Sequence, residues 1–276
     1  MPEVPPRFWR AVEAIHAVVY FAPDARASYD AIGLRGFWMG YFASRSAALG
    51  EASPDLVTAL FFNFAPAMVR RALPDAWRRA SPANVLVARE DLAVRTLAPL
   101  LPESLSETLV DGLETAVAGL DLAGRPLAAA QSGVGGSASP IARLWRAVTV
   151  LREYRGDGHV AALVAAGLDG AEANISHAAS GALPPDQQSH RGWSDAEWGA
   201  AIGRLRARGW LDADARLTAE GTRRRADIER ATDVAASRAF AGVAGRAALF
   251  DSVVRLASGP VKRGVPYPNA MGVLRP

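Results

Sequence analysis

The stretch FWRAV at residues 8–12 recurs as LWRAV at residues 144–148. A second pair follows in the same order, AIGLRG at residues 31–36 and AAGLDG at residues 165–170. Blocks repeated in one order indicate an internal duplication, although alanine-rich helices also resemble one another by chance. We therefore predict a mostly α-helical chain that contains two diverged copies of one module.

The second copy carries the pattern of a winged helix. Residues 194–197, SDAE, form a capping box that begins a helix, and Gly209 ends that helix. Residues 210–218 are expected to form a short β-hairpin, the wing, before a long helix over residues 222–236. The predicted fold is tandem winged-helix-like modules with short β-hairpin wings.

The division of the chain follows from its local composition. Residues 131–140, QSGVGGSASP, are small, flexible and end in proline, as is typical of a linker. We predict an N-terminal copy over residues 1–125, a linker over residues 126–140 and a C-terminal copy over residues 141–258. Residues 259–276 form a tail that either docks on a pocket or packs against the surface.

Composition favours a folded protein in a reducing compartment. The chain has 276 residues, half of them apolar, with a net charge of +3, a single lysine and no cysteine. The lack of cysteine excludes disulfides, thiolate catalysis and cysteine-ligated metals. No apolar run reaches the roughly 18–20 residues of a membrane span, and the N-terminus lacks the pattern of a signal peptide. We expect a cytoplasmic protein.

Three segments of the chain resemble an actinobacterial helix-turn-helix family. They are GLRGFWMGYFA at residues 33–43, LREYRGDGHVAAL at residues 151–163 and PYPNAMG at residues 266–272. The family tends to have histidine where this chain has Tyr154, and proline where it has Ala270. The resemblance covers nearly the whole chain and implies a helix-turn-helix fold. It implies no particular activity, although some members belong to specialised metabolism.

The charges on the predicted second helix bear on DNA binding, because a winged helix places this helix in the major groove. Asp195 and Glu197 would present carboxylates to phosphates at the start of the helix, and Asp212 and Asp214 would do so at the wing. Nucleic-acid binding is therefore disfavoured but stays open. The arginines that keep it open are Arg204, Arg206, Arg208 and residues 223–225.

The block REYRGDGH at residues 152–159 is the strongest candidate for chemistry. Glycines flank Asp157 and would permit a tight turn with close approach of a ligand. Asp157 would orient His159 for proton transfer, and Arg152 or Arg155 would hold an anionic oxygen. The alternative is structural: Asp157 caps a helix, and the arginines form salt bridges.

Other polar residues lie within apolar segments, where buried polar groups need partners and a ligand is one kind of partner. His16 occupies the position that Arg152 has in the second copy, so both residues are expected at an interface between the copies. Core hydrogen bonds and helix caps would explain the same residues without a ligand. The further candidates for ligand binding are His16, Tyr20, Arg35, Trp38, Asn63, Glu172 and Asn269.

Known cofactor and metal motifs are missing from the sequence. Glu172 and His177, even with the block at residues 152–159, lack a standard metal spacing. The Rossmann, P-loop and Gly-x-Ser-x-Gly patterns are missing as well. We therefore predict no cofactor and no metal.

These observations lead to three hypotheses. The first is a small-molecule-binding protein that acts as a cofactor-independent acid/base enzyme of the lyase, dehydratase or cyclase type. Its substrate would be largely apolar with a polar or anionic group, bound in a pocket between the copies. The alternatives are a ligand-responsive transcription regulator that binds DNA, and a binding protein without catalysis.

Overall fold

The protein is mostly α-helical, as predicted, and its computed structural model describes residues 4–267, 269, 271 and 273–276. Several helices begin with proline, whose missing N–H would have no partner in the first turn of a helix. The α-helices are α1 (Pro6–Phe21), α2 (Ala25–Asp30), α3 (Gly36–Ser46), α4 (Pro54–Phe61), α5 (Pro66–Ala72), α6 (Asp75–Arg79), α7 (Pro82–Leu97), α8 (Glu107–Ala118), α9 (Pro126–Ser132), α10 (Pro140–Ala165), α11 (Gly170–Ala179), α12 (Gln187–Arg191), α13 (Asp195–Ala207), α14 (Ala219–Ser237) and α15 (Arg246–Ser258). The 3-10 turns are Ala47–Leu49, Ala98–Leu100, Arg238–Phe240 and Pro260–Gly264.

The predicted wing is smaller than expected. In the described residues no β-strand forms, and one isolated antiparallel bridge joins Leu211 to Leu217. The Thr218 N–H donates to the Trp210 carbonyl at 3.0 Å, and the Thr218 hydroxyl accepts from the Gly221 N–H at 3.0 Å as the N-cap of α14. Because Thr218 both closes the turn and caps a helix, no length of chain is left for the predicted strands.

Two hydrophobic cores organise the helices. The larger core joins α1, α3 and α7 to the first half of α10 and to α15. The smaller core lies between the end of α10, α11, α13 and α14. Members of the larger core include Phe8, Ile15, Phe42, Leu92, Val148 and Phe250. The smaller core contains Leu163, Leu168, Ala171, Ala173, Ile175, Ala201, Leu205, Trp210, Leu211 and Ile228.

Helix α10 connects the two cores. It has 26 residues and packs against α1, α7, α8, α9 and α14. At the rise of an α-helix this length spans about 39 Å, which is enough to pass from one core into the other. Val148 and Leu163 both belong to α10, but Val148 lies in the larger core and Leu163 lies in the smaller core.

The segment predicted as a linker is partly helical. Residues Pro126–Ser132 form α9, and its Leu127 and Ala128 are buried against α10. Residues 133–139 contain no helix. The larger core uses residues from both sides of this segment, so the packing of the core does not divide the chain there. The division into two copies stays a prediction.

The C-terminal tail folds back on the molecule, where Val273 joins the larger core. The Asn269 side chain accepts from the N–H groups of Met271 and Val273 at 3.1 and 3.0 Å. Its amide donates to the carbonyls of Pro266 and Val273 at 3.0 and 2.9 Å. The residues of the chain outside the described part are residues 1–3, Pro268, Ala270 and Gly272.

Candidate ligand cavity

A cavity of about 980 Å³ lies where the two cores meet. Helices α1 and α3 and the loop after α4 form one side, α10 runs along it, and α11 and α14 form the other side. Met271, Val273 and Leu274 of the tail line it as well. Pockets for small molecules commonly enclose about 300–1,000 Å³. The size and the position between the cores make this cavity the candidate binding site.

One wall of the cavity is apolar and aromatic. Its phenylalanines stand where α4 ends and the chain turns toward α5. The carbonyl of Asn63 in this turn accepts from Asn174 Nδ2 at 2.7 Å and from Trp193 Nε1 at 3.0 Å. These two bonds tie the turn to the helices around the smaller core. The phenylalanine wall consists of Phe61, Phe62 and Phe64.

The charged residues of the lining are mainly cationic. Among the described residues, seven arginines and three carboxylates line the cavity. Glu153 lies behind this lining and adds one more negative charge, which leaves the arginines in excess. A concave surface with one sign of charge attracts ligands of the opposite sign. The arginines are Arg10, Arg45, Arg152, Arg155, Arg191, Arg216 and Arg225, and the carboxylates are Glu13, Glu229 and Asp233.

Arg45 and Arg152 share a buried carboxylate. Arg45 donates from Nε and Nη2 to Glu153 at 3.1 and 2.9 Å, and Arg152 Nη1 donates to Glu153 at 2.9 Å. Arg152 Nε also donates to Glu13 at 3.0 Å. Burial opposes the charge on Glu153, but the two guanidiniums hold the pKa of its carboxyl well below its usual range. Arg152, predicted as catalytic, therefore lines the cavity as part of an ion cluster.

His159 lines the cavity as a neutral imidazole, because burial lowers its pKa to about 3. Its Nδ1 lies 2.9 Å from the Thr232 hydroxyl, which donates its own proton to the Ile228 carbonyl at 2.8 Å. The hydroxyl must therefore accept from His159 Nδ1–H. This assignment leaves the Nε2 lone pair facing Arg225 Nη2 at 3.4 Å.

Asp157 does not act on His159. Residues 152–159 continue through α10 instead of forming the predicted turn, and side chains two residues apart on a helix point about 200° apart. The Asp157 carboxylate accepts from the Ala128 N–H at 3.0 Å, and burial raises its pKa to about 6. The predicted pairing of Asp157 with His159 is wrong, because Asp157 joins α9 to α10.

His16 and Tyr20 lie inside the larger core and do not line the cavity. His16 Nδ1 is 3.0 Å from Thr149 Oγ1, and its Nε2 is 3.1 Å from the Tyr20 hydroxyl. The Trp145 ring stacks on the imidazole with centroids 6.0 Å apart. Burial, reinforced by the charge of Arg152, lowers the pKa of His16 well below its usual value. Core hydrogen bonds therefore account for His16.

The remaining predicted residues take other places. Arg35 is exposed at the start of α3, and Trp38 packs edge-on against Phe64. Glu172 closes the capping box of α11 and accepts from Arg204 Nε at 2.9 Å. Asn269 holds the tail whose neighbours line the cavity. The predicted residues that do line the cavity are Asn63, Arg152, Arg155 and His159.

Arg225 and Glu229 also line the cavity, and the sequence analysis missed both. Arg225 belongs to the arginine run at residues 223–225, which in the sequence alone keeps DNA binding open. The helical period gave a usable signal, because buried residues recur on one face of α14 every three or four positions. The residues of this face are Gly221, Arg225, Ile228, Thr232 and Ala236.

The arginines of α13 and its C-cap residue, Arg208, are engaged within the protein. Arg206 donates to the carbonyls of Asp212 and Ala213 at 3.1 and 2.7 Å. Arg208 donates to the carbonyls of Ala166 and Gly167, both at 2.8 Å. Arg204 binds the two carboxylates that cap α11. The capping box at the start of α13 is confirmed, so acidic side chains do lie at its first turn.

The described part of the chain holds neither a candidate metal cluster nor a candidate membrane span. In this part of the chain, no three His, Asp or Glu side chains cluster in a way that could hold a metal ion. Each helix there is too short or too polar to cross a membrane.

Comparison with protein families gives a match over most of the chain. The profile of a helix-turn-helix family matches residues 5–266. No curated protein and no solved structure matches the chain. The family match covers the smaller core, all of the larger core except Val4 and the tail, and the cavity lining up to the tail.

Proposed function

The chain belongs to this helix-turn-helix family, and on that premise we propose that a winged-helix-like unit here forms one side of a small-molecule binding site. The unit comprises α11, α13, the bridge between Leu211 and Leu217, and the start of α14, all around the smaller core. Helices α1 and α10, which carry the two copies of the repeated pentapeptide, pack against each other beside the cavity. Their pairing supports the tandem arrangement of two diverged modules.

The lining of the cavity carries this proposal. The phenylalanine wall offers apolar contact area, and the arginine excess offers favourable electrostatics for a negative group. A ligand that matches both is largely apolar with a polar or anionic group. The cavity volume of about 980 Å³ accommodates a molecule of moderate size.

The same geometry favours binding over the acid/base reaction of the lyase, dehydratase or cyclase type. A histidine with a pKa of about 3 is a weak base at neutral pH. Asp157, its expected partner, binds the backbone of α9 instead. Arg152 is occupied by Glu13 and Glu153. We therefore propose a binding protein and assign no catalytic residue.

The test places a bulky side chain in the cavity. Val160 lines the cavity on α10, whereas Val164 lies one turn further along the same helix and is 59% exposed. Isothermal titration with decanoate and decanol should show saturable 1:1 binding of at least one of them to the unchanged protein. Val160→Trp should weaken that binding at least tenfold, and Val164→Trp should leave it within about twofold. No saturable binding, or equal effects of the two variants, would contradict the proposal.

A ligand-responsive DNA-binding regulator is the second candidate, because the chain matches a helix-turn-helix family. Arg216 is exposed beside the bridge and forms no ion pair among the described residues, so it is the best placed side chain for a phosphate. Mobility shifts with a randomised duplex pool test this role. Sequence-selective binding that is lost in Arg216→Ala and kept in Arg26→Ala, on α2, would support the regulator.

A further inference from the structure

Arg225 is a buried arginine that lines the cavity. Its side chain is 5% exposed, and it forms an ion pair with Glu229 through Nη2. Its Nε and Nη1 are buried and have no hydrogen-bond partner among the described residues. Buried donors are nearly always paired in folded proteins, and a charged donor loses most when it is left unpaired. These two nitrogens are therefore donors that await a partner.

Further donors surround this guanidinium. Arg155 Nη2 donates to Asp233 at 3.0 Å, while its Nε is buried without a partner among the described residues. The imidazole of His177 enters no hydrogen bond among the described residues, and its ring centroid lies 6.3 Å from that of His159. Three side chains on α10, α11 and α14 thus converge on one end of the cavity with free donors.

Building on the small-molecule site proposed above, we propose that Arg225, Arg155 and His177 form an anion subsite that binds the carboxylate of a singly charged ligand. Guanidinium donors bind carboxylates with strong, charge-assisted hydrogen bonds. The apolar part of the ligand would extend toward the phenylalanine wall. The unit around the smaller core would then bind the carboxylate of the ligand. The side of the cavity next to the larger core would bind its hydrocarbon chain.

The charges around the subsite favour one negative charge over two. Glu229 and Asp233 line the same end of the cavity and balance the charges of Arg225 and Arg155. A carboxylate adds a single charge and uses the unpaired donors. A phosphate dianion would add a second charge beside two carboxylates, and the mutual repulsion would weaken its binding.

The experiment compares three ligands that share a ten-carbon chain: decanoate, decanol and decyl phosphate. Isothermal titration measures each with the unchanged protein, Arg225→Gln and Arg224→Gln. Arg224 is the control, because it neighbours Arg225 on α14 but is half exposed and pairs with Glu220 outside the cavity. Decanoate should bind the unchanged protein at least tenfold more tightly than decanol, and more tightly than decyl phosphate.

Arg225→Gln should weaken decanoate binding at least tenfold while decanol stays within about twofold, and Arg224→Gln should change neither. If Arg225→Gln does not fold, His177→Gln on α11 decides, with an expected loss of at least threefold for decanoate alone. Unchanged decanoate binding in the folded variant, or tighter binding of decyl phosphate, would overturn the subsite and leave the cavity proposal standing. If neither decanoate nor decanol binds the unchanged protein, the cavity proposal itself is contradicted.

Discussion

The carboxylate of Asp157 accepts the N–H of Ala128 at 3.0 Å, and the N–H groups of Ala128 and Leu127, in the first turn of α9, both act to lower the pKa of its carboxyl. These N–H groups have no partner within their own helix, and a negative charge near them is favoured by the helix dipole. Burial acts in the opposite direction and is the larger effect, so the pKa of Asp157 rises to about 6. The charge on this carboxylate therefore lowers stability at neutral pH, although its hydrogen bonds hold α9 in place.

Asp157→Asn should remove this pH-dependent loss. The folded-state pKa of about 6 lies above the ordinary value of 3.8, so the carboxyl contributes most below pH 3.8 and loses that contribution as pH rises through 6. The asparagine keeps an oxygen for the Ala128 N–H. Between pH 4.5 and pH 8 the variant should gain about 2 kcal/mol relative to the unchanged protein in urea unfolding. A difference that stays constant with pH would contradict the assignment.

Several single residues could be placed from the sequence, and others could not. The block at residues 152–159 predicts Arg152, Arg155 and His159 as site residues, and all three line the cavity. The predicted relation between Asp157 and His159 is wrong, since the two glycines around Asp157 indicate a turn but the helix continues through them. The actual partner of Asp157 is the N-terminus of α9. This contact arises from tertiary packing, which the local sequence does not reveal.

At the scale of elements, α10 depends on a glycine for its contact with Arg125. A Cβ at Gly158 would overlap the Arg125 guanidinium, which donates to the Tyr154 carbonyl at 2.6 Å and lies 4.3 Å above the Tyr154 ring. A Cβ at Gly156 would meet only Glu153 Oε2, at an ordinary 3.7 Å. The two glycines of this block therefore differ in role, because only Gly158 needs to lack a side chain so that a neighbouring residue, Arg125, can pack against the helix.

Gly158→Ala and Gly156→Ala should shift stability in opposite directions. Alanine is favoured over glycine inside a helix by about 1 kcal/mol, and Gly156→Ala should gain up to that amount. Gly158→Ala should lose about 1–3 kcal/mol, because Arg125 must leave its hydrogen bond and its ring contact. Thermal and urea unfolding measure both. In an Arg125→Ala background Gly158→Ala should become stabilising, and a loss that persists there would show that Arg125 is not the cause.

Helix starts were the elements best predicted from the sequence. The capping box of Ser194 and Glu197 is a local pattern, and the structure confirms it. The prediction of wing strands is wrong because of the helix that follows. Thr218 caps α14 immediately after the bridge, so the chain does not continue as a strand. Local patterns thus identify where a helix begins better than they identify how long a strand can be.

At the scale of the whole molecule, the cavity exists because α10 carries one core into the other. The repeated segments predicted two modules, but the larger core includes residues of α15 from the end of the chain. Such contacts join residues far apart in sequence, so periodicity within a segment does not reveal them. The packing also holds three neutral histidines at or near the contact between the cores: His16 is buried, and His159 and His177 are partly buried.

These histidines should make the whole protein less stable in acid. Burial lowers the pKa of His159 to about 3 and of His177 to about 4, below the ordinary value of 6.5, so the unfolded chain binds more protons as pH falls. Their contribution is complete above pH 6.5 and is lost as pH falls toward 4 and 3.

From pH 7 to pH 5 each should cost about 2 kcal/mol of the free energy of unfolding, while Asp157 returns about 1 kcal/mol. Urea unfolding across this range should therefore show a net loss that His177→Gln reduces by about 2 kcal/mol and Asp157→Asn increases by about 1 kcal/mol. If the free energy of unfolding changes with pH equally in the unchanged protein, His177→Gln and Asp157→Asn, these side chains are already hydrated in the folded protein.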